Sequence, residues 1–490
     1  MFVTPISGSH AYKQGCGEAR PPTVFEDELH HDGFPDVNSP TGQLQHQLAL
    51  CAEREEDTIV TDAHLPRSRT NTSDGFVSLV SHHSDPHASP DLFNIVSPKA
   101  SFDRTLDWPF ATIRESHLFF HFIRHLSLWV DICDPHRHFA TEIPFRVNNN
   151  PILLNAILAC ASRHLSIITD SADHESLLYA NRCVQSLIQR FDDPLGHLDE
   201  NLLAVVILLR LHEEISQEDD ARMHLYGQTK VLNAISDFAA DGGVRESGSW
   251  TSLRQHVYIS LTKQRPLELD LANFKHSSIF YETTNEAYAN RIIYIFAKLL
   301  KFVFPEEGSN DHNLYLAQWA EIQADVENWW ETKPWYYKPL WGEKNMTSPT
   351  STTTTSPGQA RAHGSFRYPE LKMAHPAQVV GYQHYHMAKI LLILYDPSLK
   401  ARLGFATYRT RKETEGVVLT HVRQIVGLAK SNEDVTNGLF QASHILSACG
   451  GYICDYEERQ VAIDFLKYIQ RKTGWKTEQT VLELQEQWQD

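Results

Sequence analysis

The side chains best placed to do chemistry in this sequence are three histidines, His117, His121 and His125, spaced i, i+4 and i+8. In a helix that spacing sets three imidazoles on one face, and i, i+4 is a spacing that metal ligands use. At a rise of about 1.5 Å per residue the outer two rings stand about 12 Å apart, too far to close one tetrahedral site. The stripe therefore reads as the solvated polar face of an amphipathic helix, and no metal ligand is assigned. Cys449 and Cys454, in CGGYIC, flank a Gly-Gly step at a spacing unlike a zinc knuckle, and read as buried structural thiols. Glu213 and Glu214 are neighbouring carboxylates, but adjacent residues on a helix do not face one another. They read as the exit of an apolar helix into solvent.

No catalytic or cofactor-binding residue is assigned either. The sequence lacks a Gly-x-Ser-x-Gly elbow, a Gly-x-x-x-x-Gly-Lys phosphate loop, a His-Glu-x-x-His helix and a Gly-x-Gly-x-x-Gly turn. An enzyme is not expected. One arrangement would change that reading: Asp134, Arg163 and His164 converging on a deep pocket with strongly shifted titration.

The elements that must position these side chains are helices. In 112–131, Phe119, Phe122, Ile123, Leu126, Trp129 and Val130 recur every three or four residues, with Arg114, His117, His121, Arg124 and His125 opposite. Further helices are expected at 151–168, 174–192, 200–216, 223–238, 250–264, 286–303, 312–331, 375–395, 413–430, 437–453, 456–471 and 477–488. Leu202 to Leu209 is apolar all round, which places that helix in the middle of a bundle. Strand signals are nearly absent, so the fold class is all-α.

Two stretches break the pattern. Residues 1–110 are rich in Ser, Pro and His, and 1–105 hold 7 Lys+Arg against 15 Asp+Glu. Such a segment buries too little apolar surface to offset its ordering entropy, and a disordered acidic arm is expected. A Thr run between Ser-Pro steps marks a low-complexity insertion at about 343–368 within a helical domain of 111–490. Ser39, Ser89, Ser97, Ser348 and Ser356 precede proline in these stretches, where a kinase could add charge to an extended chain. The clusters Val24–Leu29 and Asp91–Ile95 have the acidic–apolar composition of activation segments.

Over all 490 residues, 44 Lys+Arg face 61 Asp+Glu, a net charge of -17. That balance argues against broad binding to phosphate backbones by the bulk of the chain. Seven scattered cysteines without a Cys-x-x-Cys pair point to a reducing compartment, so the sequons at Asn71 and Asn345 carry no meaning. No signal-peptide pattern is present, and Leu202 to Leu209, read as the longest apolar run, is too short to span a bilayer, so no membrane role is expected.

From about residue 115 onward the chain resembles the regulatory domain of fungal-specific transcription factors. The likeness rests on Trp129, Asp134, Phe139 and Pro144, then on Pro151 to His164, and then on Leu202 to Leu209 with Glu213 and Glu214. It continues with His224 to Gly227, the Trp-x-x-Leu-Arg helix of Trp250, Leu253, Arg254 and Tyr258, His386 to Leu392, and Thr473-Gly474-Trp475 with Leu484 and Trp488. Members usually carry an N-terminal six-cysteine binuclear zinc cluster, whereas here only Cys16 and Cys51 precede the helical region. Three explanations stand: a cluster-less regulator acting through a DNA-bound partner, a coding region started too late, or a remnant. The resemblance implies a transcriptional regulator in the nucleus, of a metabolic or secondary-metabolite gene set. It also implies a protein partner, as a homo- or hetero-oligomer with a related regulator, with DNA reached indirectly and the effector unknown. The alternative is a non-DNA-binding protein that modulates a homologous transcription factor.

Overall fold

Side-chain capping starts the fold: Thr112 Oγ1 accepts from the Glu115 amide at 3.1 Å and Glu115 reaches back to the Ala111 amide. This reciprocal pair satisfies amides that a helix start leaves open, and α1 (Ile113–His121) begins there. The computed structural model describes residues 109–191, 200–216, 242–305, 312–342, 366–397 and 405–489. The expected arm, up to residue 108, lies outside them, as do the helix at 223–238, the motif at His224 and the five Ser-Pro steps.

The described chain is all-α. After α1 come a π-helical turn (Phe122–Leu126), α2 (Ser127–Val130), α3 (His138–Thr141) and α4 (Ile143–Arg146). Then follow α5 (Pro151–Ile168), α6 (Ser176–Phe191), α7 (Glu200–Ser216), α8 (Val244–Lys263), α9 (Asn285–Val303) and α10 (His312–Thr332). The remainder is α11 (Pro376–Leu394), α12 (Phe405–Ser431), α13 (Thr436–Cys449), α14 (Tyr456–Thr473) and α15 (Glu478–Gln487). Against expectation, α8 starts six residues early, α12 eight residues early, and α13 stops at Cys449. There Gly450–Tyr452 tightens into a 3-10 turn with the Leu484 side chain against Gly450.

Packing follows a curved succession in which α6, α5, α7, α8, α9, α11, α12 and α13 each touch the next, and α13 returns to α8 and α11. Every residue from Leu202 to Leu209 on α7 is buried, as its all-round apolarity requires. The sequence reading overlooked a comparable helix: α5 is long and apolar enough to cross a membrane by length and composition, but it packs against α1, α6 and α7 as a core helix.

Two short strands, β1 (Trp341–Gly342) and β2 (Leu371–Lys372), pair antiparallel. They clamp the chain on either side of the expected low-complexity insertion. Its last residues are part of the packed chain: Tyr368 is buried, and Pro369 lies against α12 at Gly427. A Cβ at Gly427 would sit 2.3 Å from the Pro369 carbonyl oxygen, a backbone atom that cannot swing aside. Gly427→Ala is therefore expected to destabilise the fold by roughly 1–3 kcal/mol through overpacking. Urea unfolding of the pair checks it, and an unchanged midpoint would show that the 366–370 segment is free to lift away.

Candidate functional site

Segments far apart in sequence meet around one half-open cavity of about 120 Å³. Trp129 reaches it from α2, Arg254 and Tyr258 from α8, Met387 from α11, and Trp475 from the turn after α14. Each belongs to a stretch on which the family resemblance rests.

The turn that delivers Trp475 has a conformational cause. Gly474 adopts φ +70, the left-handed region that favours glycine, and its amide closes α14 on Gln470 O at 2.9 Å. The chain reverses there, and Trp475 turns inward against Phe440, with ring centroids 4.6 Å apart. Phe440 meets Trp129 edge-on at 5.0 Å, and Asn437 Nδ2 donates to Trp129 O at 3.0 Å. Tyr258 stacks on His444 at 4.1 Å. Trp129, Tyr258, Phe440 and Trp475 thus set four aromatic rings among the aliphatic and polar residues of the wall.

Polar groups interrupt the aromatic lining. Arg254 donates to Val130 O and to Thr251 Oγ1, and burial draws its guanidinium below the usual arginine value. Glu214 is held by Arg210, with Nε 3.3 Å from Oε1, and burial pushes its carboxyl up to about 7. The expected exit of Glu213 and Glu214 to solvent is thereby corrected. Arg210 also takes Glu213 at 2.9 Å, and the three form a largely buried ion cluster because a lone guanidinium in this helix interior would be uncompensated. Burial lowers His444 to about 3 and His384 to about 4, so both rings are neutral near pH 7. His384 Nδ1 donates to Val380 O at 2.8 Å.

The trio Asp134, Arg163 and His164 does not converge. Asp134 lines a separate, smaller pocket, accepting from the His136 and His138 amides, His138 Nδ1 and Ser247 Oγ. Although burial acts to raise it, those bonds hold Asp134 at about 2. Beside it, burial pushes Asp131 up to about 7, while its oxygens cap α3 through the Phe139 and Ala140 amides. These two carboxylates shape the loop from α2 to α3. Arg163 pairs instead with Asp173 at 3.3 Å.

His164 takes part in a histidine relay. Its Nε2 donates to Thr473 O at 3.2 Å, which leaves Nδ1 as acceptor for His121 Nε2 at 2.8 Å. Burial lowers both rings to about 4. The expectation of a solvated stripe therefore holds for exposed His117 and His125 but not for His121. The π turn that starts at Phe122 interrupts the regular 3.6-residue period on which that expectation relied. Among the described residues no group of three or more His, Cys, Asp or Glu side chains could hold a metal ion. The cysteine expectation divides as well: Cys449 is buried and pushed up to about 12, but Cys454 is exposed because the 3-10 turn ends before it.

Comparison with known proteins finds similarity over part of this chain. Residues 117–263 match the family described as fungal specific transcription factor domain. That match covers under a third of the chain, and over it the sequence is similar to that family. It is also similar to the transcription activator AMTR1 of Alternaria alternata, 20% identical over 481 residues that cover 74% of this chain and 61% of that protein. The match thus spans less than two thirds of the relative's length. No solved structure matches the chain significantly. The matched span runs from within α1 to the end of α8 and includes the helices that supply Trp129, Glu214, Arg254 and Tyr258 to the cavity.

Proposed function

We propose that this protein is a transcriptional regulator acting in the nucleus, and that its helical domain regulates a metabolic or secondary-metabolite gene set. The observation that carries the reading is the match of 117–263 to the fungal specific transcription factor domain. The similarity to a transcription activator over most of the chain supports it.

The net charge of -17 favours contact with DNA through a partner over direct contact by the bulk of the chain. A related regulator, as homo- or hetero-oligomer, is the partner this reading needs. The same charge supports the second reading, a protein that binds no DNA and modulates a homologous factor.

Chromatin occupancy of the tagged chain in its native cell separates these readings. Discrete promoter peaks in nuclear protein are the expected result, with occupancy lost when the partner is depleted. Nuclear protein without peaks, bound to a homologous factor, would favour the second reading. Cytoplasmic protein without peaks would overturn both.

A further inference from the structure

The cavity carries hydrogen-bonding groups whose needs the protein leaves unmet. Gln441 Oε1 and His444 Nε2 are buried atoms without a hydrogen-bond partner, and both residues line it. A buried polar atom without a partner carries a desolvation penalty, so two around one cavity mark where a ligand would be held. Gln441 Oε1 can only accept, whereas the neutral His444 ring offers one donor and one acceptor.

Charge narrows the choice. Among the described residues no carboxylate lies within ion-pairing distance of Arg254, whose bonds go to a carbonyl and a hydroxyl. Asp131 and Asp134 act on it only through space, because their oxygens are taken by amides, His138 and Ser247. Glu214 faces the same cavity but is compensated by Arg210, so the charge left to be neutralised is positive. A guanidinium so placed recognises a carboxylate. The box of Trp129, Tyr258, Phe440 and Trp475 suits a flat ring, and about 120 Å³ approaches the roughly 150 Å³ of an apolar cavity that takes up benzene.

From these groups we infer that the cavity is a binding site for a single-ring aromatic carboxylic acid bearing a hydroxyl group. The carboxylate meets Arg254, the ring lies among the aromatic walls, and the hydroxyl donates to Gln441 Oε1 or engages His444. The site does not depend on the transcriptional reading, because binding is measured on the purified full chain.

The probes are 3- and 4-hydroxybenzoate, with benzoate, benzyl alcohol and benzamide as controls, followed by calorimetry and thermal shift. For a ligand of this size a dissociation constant on the order of 0.1 mM is expected for the better hydroxybenzoate isomer. Neutral benzamide and benzyl alcohol should bind at least about tenfold more weakly, for want of the charged hydrogen bonds. Gln441→Met keeps the side-chain length and removes the unmet acceptor. That variant is expected to melt no lower than the parent without ligand, yet to lose about tenfold in hydroxybenzoate affinity. Arg254→Met should abolish the preference for acids over benzamide, and its melting curve reports separately whether it folds. Equal binding of acids and neutral controls would overturn the carboxylate assignment. Full affinity in Gln441→Met, or no binding of any probe at about 10 mM, would overturn the site and leave a cavity that holds only solvent.

Discussion

Acidification from pH 7.5 to 5 is expected to unfold this protein cooperatively, with most stability lost between about pH 6.5 and 5. Burial is the first cause in each histidine concerned. It lowers His164, His384 and His421 to about 4 and His256 and His444 to about 3, and holds His386 well below the ordinary value of 6.5. For a base depressed in the folded state, the unfolded chain takes up a proton first. The stabilisation is therefore complete above pH 6.5 and falls as the pH drops toward the folded values. Asp131 and Glu214 act in the opposite sense: each rises to about 7, so the folded chain holds protons there that the unfolded chain lacks, and stability gains from them below pH 7. With the half-buried His121, also lowered to about 4, seven rings stand against two carboxyls and the raised His138, and the unfolded state stays ahead by several protons, or on the order of 5 kcal/mol per pH unit. A domain stable by about 5–15 kcal/mol does not survive much more than one such unit. Tryptophan fluorescence and circular dichroism against pH make the measurement. A melting temperature unchanged down to pH 4.5 would show that these rings titrate freely in the folded chain.

The His386 and His421 pair shows why the effect is cooperative. Their Nδ1 atoms stand 2.9 Å apart, so one ring donates and the other accepts. A proton on each would set two donors face to face between α11 and α12. The His121–His164 relay does the same between α1, α5 and the end of α14. Protonation at either place opens a helix contact rather than merely adding a charge, and the two places hold opposite parts of the succession of helices.

Helix content was legible in the sequence because an apolar stripe repeats where one face is buried, as in α9 and α14. The early start of α8 was not. Val-Arg-Glu-Ser-Gly-Ser is a weak helix former, and what makes it helical is tertiary: Glu246, buried, accepts from the Gly242 amide and the Ser278 amide, and Gly248 lets α7 approach with Leu203 at its surface. The cavity was legible only in pieces. Trp129, Arg254 and Trp475 stood out as parts of a resemblance, but nothing in their spacing said that they meet. Gln441, whose acceptor is left unmet, had no sequence signal at all. Glu214 was misread because an acidic pair after an apolar run normally marks a helix surface, whereas the compensating Arg210 lies one turn earlier, directly after that run.

Removing the Arg423 side chain is expected to cost about 3–5 kcal/mol, the second largest effect, because it strands a buried carboxylate. Glu458, on the first turn of α14, is fully buried, and Arg423 of α12 grips it with two parallel bonds, Nε to Oε1 at 2.9 Å and Nη2 to Oε2. Asp455 caps the same turn through the Glu458 amide at 2.8 Å. Arg423 also lies over the Phe366 ring at 5.5 Å, so the pair anchors the chain where it returns after the expected insertion. Arg423→Met retains most of the apolar stem and removes the charge, which confines the loss to the stranded Glu458. Glu458→Leu in the same chain removes the cause of that loss, and the double variant should recover most of the stability. Urea midpoints of the two single variants and the double close the cycle. Strict additivity would mean that Glu458 finds water or another donor when Arg423 is gone. A double variant as stable as the parent would place the value of this ion pair in fixing how α14 sits on α12, not in net stability.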